Sequence, residues 1–539
     1  MWQQNYTPLA GSLPLSALAA AIPIFTLLYL LGVRRLPSWK SALSGLGAAI
    51  AVSIFVYGMP VARVASSVGL GAAFGLLPIG YIVFTAILLY RVTLETGKFE
   101  IIKDSIGGLT DDRRLQALLI AFAFGAFIEG ASGFSTPVAV SAAMLAGLGF
   151  SPFYAASICL LANTAPVAYG AIGTPVLTLQ TVTALPLGRL SAAVGRICAP
   201  ISFWVPAYLI MVMGGWRALR RVLPAVLVCG ASFSVTQFLV SNYIGPQLTD
   251  ILASLAAIGS LMLLLLVWRP KDKFTLEGGH AVATTPKRHP AREVLVAWAP
   301  YAILVVFVLA WGLSKTPLNL VSMTFNWPGL DARILQVPPV VLSPSPYRAT
   351  YRFDWLATPG TACLLAALFS ALVLGMSPVR FWRVLAATGR QLFFSELTIA
   401  TVLALAYLMN YSGATATLGL ALAATGAVFP FFSAFLGWIG VFLTGSDTSA
   451  NALFGNLQVV TANRLGLNPV LMAAANSSGG VMGKMISLQS IAIAAAATGM
   501  APAEEAKLFR FTLRHSIILA GAIGLVVVFY AYVAPQWAP

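Results

Sequence analysis

The sequence predicts an all-α polytopic membrane protein with about twelve transmembrane helices and two re-entrant hairpins, built as two related halves. Composition is the first observation behind this. Of 539 residues, 59% are hydrophobic and only 9% charged, and mean hydropathy is +0.87. A soluble domain carries about 25% charged residues, so a chain this poor in charge leaves its outer surface for lipid to cover. The second observation is the recurrence, along the whole chain, of apolar runs of roughly 20 residues, each long enough to cross the hydrocarbon layer as a helix. The third is an internal repeat at a near-constant offset, set out below.

In chain order, residues 1–69 hold the N-terminal spans (about 13–33 and 41–64), read as scaffold. Residues 70–215 form a first repeat: a span at about 70–90, a hairpin at about 113–150, an unwound span at about 152–176 and a span near 199–214. Residues 216–390 link the halves through spans near 222–243, 251–268, 294–313 and 356–376, with loops at 269–293 and 314–355. Residues 391–539 form a second repeat: a span near 391–409, a hairpin at about 427–465, an unwound span at about 469–498 and a last span near 516–534.

The formal charge of +16 is not a nucleic-acid signature, because Lys and Arg lie in short loops between apolar runs. Arg34, Arg35 and Lys40, then Arg113 and Arg114, Arg217, Arg220 and Arg221, Arg269 to Arg292, and Arg380, Arg383 and Arg390 fall on one side if the spans alternate. Positive loops mark the cytoplasm, which places both termini and the 314–355 loop on the periplasmic side. Cys159, Cys198, Cys229 and Cys363 lie within apolar segments and read as small hydrophobes. The first residues, MWQQNYTPLAGSLPL, lack a basic n-region, so no cleaved signal peptide is expected.

The repeat aligns FGAFIEGASGF (from Phe124) with IGVFLTGSDTS (from Ile439), and LANTAPVAYGAIGTP (from Leu161) with AANSSGGVMGKMISL (from Ala474). Asn163 falls on Asn476, Gly170 on Gly483 and Thr174 on Ser487. ETGKFEIIKDSI (from Glu95) takes the place of YSGATATLGLAL (from Tyr411). With the charge-derived topology, one copy starts inside and the other outside. Such inverted repeats build the midplane sites of many secondary transporters.

Each half has two places where a membrane helix should fail. Glu129–Pro137 and Thr444–Asn451 are small, polar and glycine-rich. Gly170–Pro175 and Gly483–Gln489 combine glycine with proline or polar residues. Bare backbone at membrane depth is tolerated only where it is buried in protein or lines a cavity. Four broken elements facing one site offer N–H groups to an anion and carbonyls to a cation. Close helix packing is the plainer reading of the glycines alone.

Ionisable residues carry the argument further, since intramembrane charge is a functional hypothesis by default. Lys484 is the candidate for a substrate carboxylate; an ion pair with Asp447 is its alternative and is compatible with it. Glu129 and Asp447 are the candidate proton carriers, with hairpin capping as the alternative. Ser446, Asn163, Thr174, Asn476, Ser477, Ser487 and Gln489 are candidates for polar contacts to substrate. Glu396, Asn410 and His515 rank second. No metal site, cofactor or catalytic group is expected, and the coupling ion is expected to be H⁺. GxxxxGK[ST] and HExxH are missing, which argues against ATP-driven transport and intramembrane proteolysis. A receptor would carry a signalling domain, and a channel would not require repeats built around carboxylates. A dicarboxylate would want a second intramembrane cation, so the single Lys484 favours a monocarboxylate.

WQQNY, GAFIEGASGFSTPVA, NTAPVAYGAIGTPV, FLGWIGVFLTGSDTSANALF, GKMISLQSIAIA and LFRFTLRHS together resemble the L-lactate permease family, and the resemblance covers essentially the whole chain. It departs from the family pattern at Ser135-Thr136 and at Leu488. The resemblance implies uptake of L-lactate, with D-lactate and glycolate, by proton symport across the bacterial inner membrane, with sodium coupling or another carboxylate as the alternative. It also implies membership of the ion transporter superfamily, with a scaffold, a mobile transport domain, elevator-type movement and, commonly there, a homodimer.

Overall fold

Helices dominate because the apolar runs can satisfy their backbone groups only internally. The computed structural model describes residues 1–133, 136–272, 274, 287–313, 318 and 320–538. Among these are 12 helices long and apolar enough to cross a membrane. In order, the first half comprises α1 (Leu13–Gly32), α2 (Ser38–Phe55), α3 (Val61–Phe74), α4 (Tyr81–Glu95), α5 (Lys98–Gly107), α6 (Arg113–Ala131), α7 (Thr136–Gly147), α8 (Pro152–Ala162), α9 (Gly170–Thr183) and α10 (Leu187–Arg221). Then come α11 (Leu223–Tyr243) and α12 (Thr249–Val267). The second half comprises α13 (Ala291–Leu313), α14 (Pro359–Val373), α15 (Pro378–Ser412), α16 (Ala414–Leu422), α17 (Phe429–Thr444), α18 (Asp447–Leu465), α19 (Pro469–Lys484), α20 (Leu488–Thr498) and α21 (Pro502–Val528).

The two halves run through the same kinds of element. In each, a stretch of 35 residues (Val61–Glu95 and Pro378–Ser412) leads into a short helix, then a hairpin, then a helix broken near its middle, then a long helix. The joint before each short helix is a left-handed glycine, Gly97 at φ 71° and Gly413 at φ 90°, a conformation that glycine adopts without steric penalty. The hairpins are α6/α7 and α17/α18. The broken helices are α8/α9, bent by 64°, and α19/α20.

Hydropathy alone misplaces some boundaries. The expected span at 41–64 runs through a turn, because Gly58 at φ 64° and Pro60 end α2 and restart the chain as α3. The span expected at 199–214 extends over all of α10, whose polar ends hydropathy discounts. The 314–355 segment, expected as irregular loop, carries strands. β2 (Met323–Asn326) pairs antiparallel with β5 (Thr350–Phe353), and β3 (Ile334–Gln336) pairs antiparallel with β4 (Ser345–Pro346). The N-terminal β1 (Trp2–Gln3) joins β3 in parallel register, Trp2 opposite Ile334. The N-terminus and this segment therefore share one face of the molecule.

Contacts at the hairpin bases are also informative. Arg114, at the base of α6, is fully buried and pairs with Asp112 at 2.7 Å and with Asp272, after α12, at 3.0 Å. At the other hairpin, Ala427 just before α17 accepts a hydrogen bond from Tyr532, close to the C-terminus.

Candidate functional site

The breaks are written into the local sequence. In the first, Pro166 and Gly170 interrupt the helix, and Ala171, Ile172 and Gly173 follow with φ of 44°, 59° and 73°. Left-handed backbone is unfavourable for Ala and more so for β-branched Ile, so tertiary packing holds it. Gly133 of the first hairpin tip lies against Ala171, and a Cβ on Gly133 would come within 2.9 Å of the Ala171 Cβ. In the second break, α19 ends at Lys484 and Ser487 caps α20 by accepting from the Ser490 N–H at 3.2 Å.

Both hairpin tips and both breaks meet at one cavity of about 110 Å³. Glu129 and Gly133 come from the first hairpin, and Gly170, Ala171 and Pro175 from the first break. Thr444–Ser449 comes from the second tip, and Lys484 and Gln489 from the second break. The remaining wall is Ser38 at the start of α2 with Ser395, Thr398 and Ile399 of α15. The N-terminal turns of α18 and α20 border this space, and helix N-termini present N–H groups suited to an anion.

Each ionisable side chain is held by named partners. Lys484 is 5% exposed and donates to Gly445 O at 2.7 Å, tying the second tip to the second break. It forms no ion pair with Asp447 among the described residues. An ammonium has three donors, and the protein carbonyl takes one. Asp447 Oδ2 accepts from Ser477 Oγ at 2.6 Å and from Asn451 Nδ2 at 3.3 Å, while its buried Oδ1 has no partner among the described residues. Glu129 accepts from Asn163 Nδ2 at 2.9 Å. Two glycines make room for these acids. A Cβ on Gly170 would meet Glu129 Oε1 at 2.5 Å, and one on Gly480 would collide with Asp447 Oδ1.

The other expected residues separate by place. Ser446 and Gln489 line the cavity. Asn163 and Ser477 stand behind it and orient the acids. Asn476 braces the second hairpin, donating to Asn451 Oδ1 at 2.9 Å. Thr174 returns its hydroxyl to Ala171 O at 2.5 Å, and Ser487 serves as a helix cap. Glu396 lies on α15 against Gly80, next to Ser395 of the cavity wall but outside the lining itself. Asn410 lines a different and larger cavity of about 1110 Å³, and His515 contacts Tyr208 Oη at 2.5 Å, away from both.

Sequence reasoning missed Asn451, which links the second hairpin to Pro175 O of the first break at 3.1 Å as well as to Asp447 and Ser477. It also missed Asp250, 1% exposed in the first turn of α12, with neither carboxyl oxygen hydrogen-bonded among the described residues. Asp250 sits next to an apparent loop, Gly245-Pro246, which hid it. Its signal was that the helical run actually begins at Pro246, putting Asp250 inside the span Pro246–Val267.

Residues 16–534 match the family described as L-lactate permease. The chain is 46% identical to the L-lactate permease of Bacillus subtilis, over 96% of both chains. It is 45% identical to the glycolate permease GlcA of Escherichia coli, over 99% of this chain and 98% of that one. To the L-lactate permease of Salmonella typhimurium it is 43% identical, over the full length of both. Among solved structures, Neisseria gonorrhoeae MtrF, described as illuminating a class of antimetabolite efflux pumps, superimposes with a TM-score of 0.51. It is 12% identical, with 94% of this chain and 97% of that one covered, a likeness of fold alone. With its family matched across nearly the whole chain and its multi-pass helical fold described, the protein belongs to the L-lactate permease family.

Proposed function

We propose that the protein takes up L-lactate and related 2-hydroxy-monocarboxylates, D-lactate and glycolate among them, by proton symport across the bacterial inner membrane. The observation that carries this reading is the meeting of Lys484, Glu129 and Asp447 around one small cavity bordered by helix N-termini. One cation against two acids suits a single carboxylate travelling with a proton. Substrate carboxylate would pair with Lys484 and the N-terminal N–H groups of α18 and α20, and Ser446 and Gln489 would take the hydroxyl. The names of the L-lactate and glycolate permease relatives support the substrate class.

The order of elements supports an inverted repeat. The base of one hairpin lies beside Asp272 and that of the other beside Tyr532, so the hairpins enter from opposite faces in this reading. The positively charged loops support a cytoplasmic Asp272 face with both termini outside. Movement is elevator-type: hairpins and broken helices travel as one body past a scaffold that includes α2 and α15. A homodimer would anchor that scaffold.

Uptake of labelled L-lactate into proteoliposomes, with proton and sodium gradients imposed separately, tests the reading. Accumulation driven by the proton gradient alone is expected; accumulation driven only by sodium would overturn the coupling assignment. Lys484→Ala removes a charged hydrogen-bond donor worth about 1.5–3 kcal/mol, roughly 10- to 150-fold in Kd. Unchanged lactate affinity in that variant would remove Lys484 from the site.

A further inference from the structure

Asp250 is a buried acid that the site described above does not use. Asp250 is 1% exposed, and neither carboxyl oxygen has a hydrogen-bond partner among the described residues. Buried polar side chains nearly always have one, and a stretch of apolar residues would pack the same volume without that penalty. A group kept there at such disadvantage points to a role in another protonation or conformational state.

Its position gives the role. Asp250 packs against α6, where a Cβ on Gly130 would come within 2.8 Å of the Asp250 Cβ. Gly130 follows Glu129, and Glu129 lines the small cavity. Along its own segment, Gln247 and Leu248, one turn or less before Asp250, line the cavity of about 1110 Å³. Tyr347, Arg348 and Thr350 line that larger cavity too, so it belongs to the face that carries the N-terminal strand. Asp250 thus stands between the two cavities. The other titratable groups within electrostatic reach of it among the described residues are Tyr169, whose hydroxyl donates to Ser191 O at 2.6 Å, and Cys198 of α10.

We propose that Asp250 relays protons between the large cavity and Glu129, so that the coupled proton reaches the substrate site by a path separate from the substrate's own. This rests on the proton-symport reading above. In the transfer, the Asp250 O–H bond breaks and an O–H bond forms on the Glu129 carboxylate, directly or through one water. The Asp250 carboxylate then takes a proton from hydronium in the large cavity, and no redox change is involved. Gly130 keeps the two helices close enough for this, since any side chain there would push α12 away.

The test compares proton-driven accumulation with substrate counterflow in proteoliposomes, using L-lactate on both proteins. Counterflow exchanges substrate without net proton movement, so a relay variant should keep it. Asp250→Asn is expected to lose proton-driven accumulation by roughly tenfold or more while counterflow stays within about twofold of the parent. Accumulation equal to the parent overturns the relay, and parallel loss of both activities when the variant reaches the membrane overturns it as well, since that is the mark of a structural role. If Asp250→Asn does not reach the membrane, Asp250→Glu decides: it must accumulate with a shifted pH profile, and an unshifted profile overturns the relay. A parent protein indifferent to the proton gradient would instead remove the symport reading itself.

Discussion

Gly170 and Gly480 show how single atoms set this site. Neither has a positive φ; a carboxyl oxygen occupies the space where a Cβ would stand, Glu129 at Gly170 and Asp447 at Gly480. Gly480→Ala should therefore displace Asp447 from Ser477 and Asn451 at a cost of about 1–3 kcal/mol, the usual range for overpacking. The expected result is at least a roughly tenfold fall in lactate uptake by a protein that still folds; normal uptake would show that the acid is free to sit elsewhere. Lys484, Glu129 and Asp447 were legible in the sequence because a charge within an apolar run has few structural uses. The small polar residues were less so. Thr174 and Ser487 bond to nearby backbone, as Ser and Thr commonly do, and one-dimensional sequence does not distinguish such a cap from a ligand. Asn451 was missed for the opposite reason: its hydrogen bonds run to Pro175, Asp447 and Ser477, and only the assembled hairpin brings these together.

At the scale of elements, the broken helices are the feature that propensity reads well and geometry completes. Glycine and proline announced the breaks, but not the run of left-handed residues at Ala171–Gly173, which depends on the neighbouring turn before α12. A Cβ on Gly173 would lie 2.7 Å from Pro246 O, and its φ is 73°. Gly173→Ala combines a backbone penalty of roughly 1–2 kcal/mol with that collision, and should lower the thermal midpoint in detergent by several degrees; an unchanged midpoint would mean the turn is free to yield. A second junction is expected to respond to pH. His289, just before α13, bonds Asp104 of α5 at 2.8 Å and lies 3.4 Å from Glu293. The Asp104 hydrogen bond, with Glu293 adding to it, raises the imidazole above its ordinary value. A raised folded-state value means that the stabilisation is full below the unfolded value of about 6.5 and is lost as pH rises through the higher folded one. Thermal stability should thus decline as pH is raised from about 6 towards 8, and His289→Gln should flatten that part of the profile. A slope that persists in His289→Gln would assign it to other groups.

Across the whole molecule, hydropathy and the internal offset between halves made the order of elements readable, because a membrane restricts the chain to few shapes. What sequence left open was how the halves meet, and that is decided by long-range contacts such as β1 with β3 and the tip of one hairpin against its neighbouring break. The meeting point lies between two sets of helices: the hairpins and broken helices on one side, α2 and α15 on the other. If the first set moves past the second as one body, contacts across the seam must break in every cycle. One such contact is the Tyr407 hydroxyl of α15 donating to Thr181 O of α9 at 2.9 Å. Cysteines introduced at positions 181 and 407, in a background where Cys159, Cys198, Cys229 and Cys363 are replaced, place a thiol on each side of that seam. A short bifunctional thiol reagent should then stop lactate uptake while leaving lactate binding within about threefold, because the site itself lies within the moving set apart from the α2 and α15 wall; by mass action, a change of that size is under 1 kcal/mol. Uptake that survives complete cross-linking would show that α9 and α15 stay together through the cycle, and that transport proceeds by local opening of the hairpins instead.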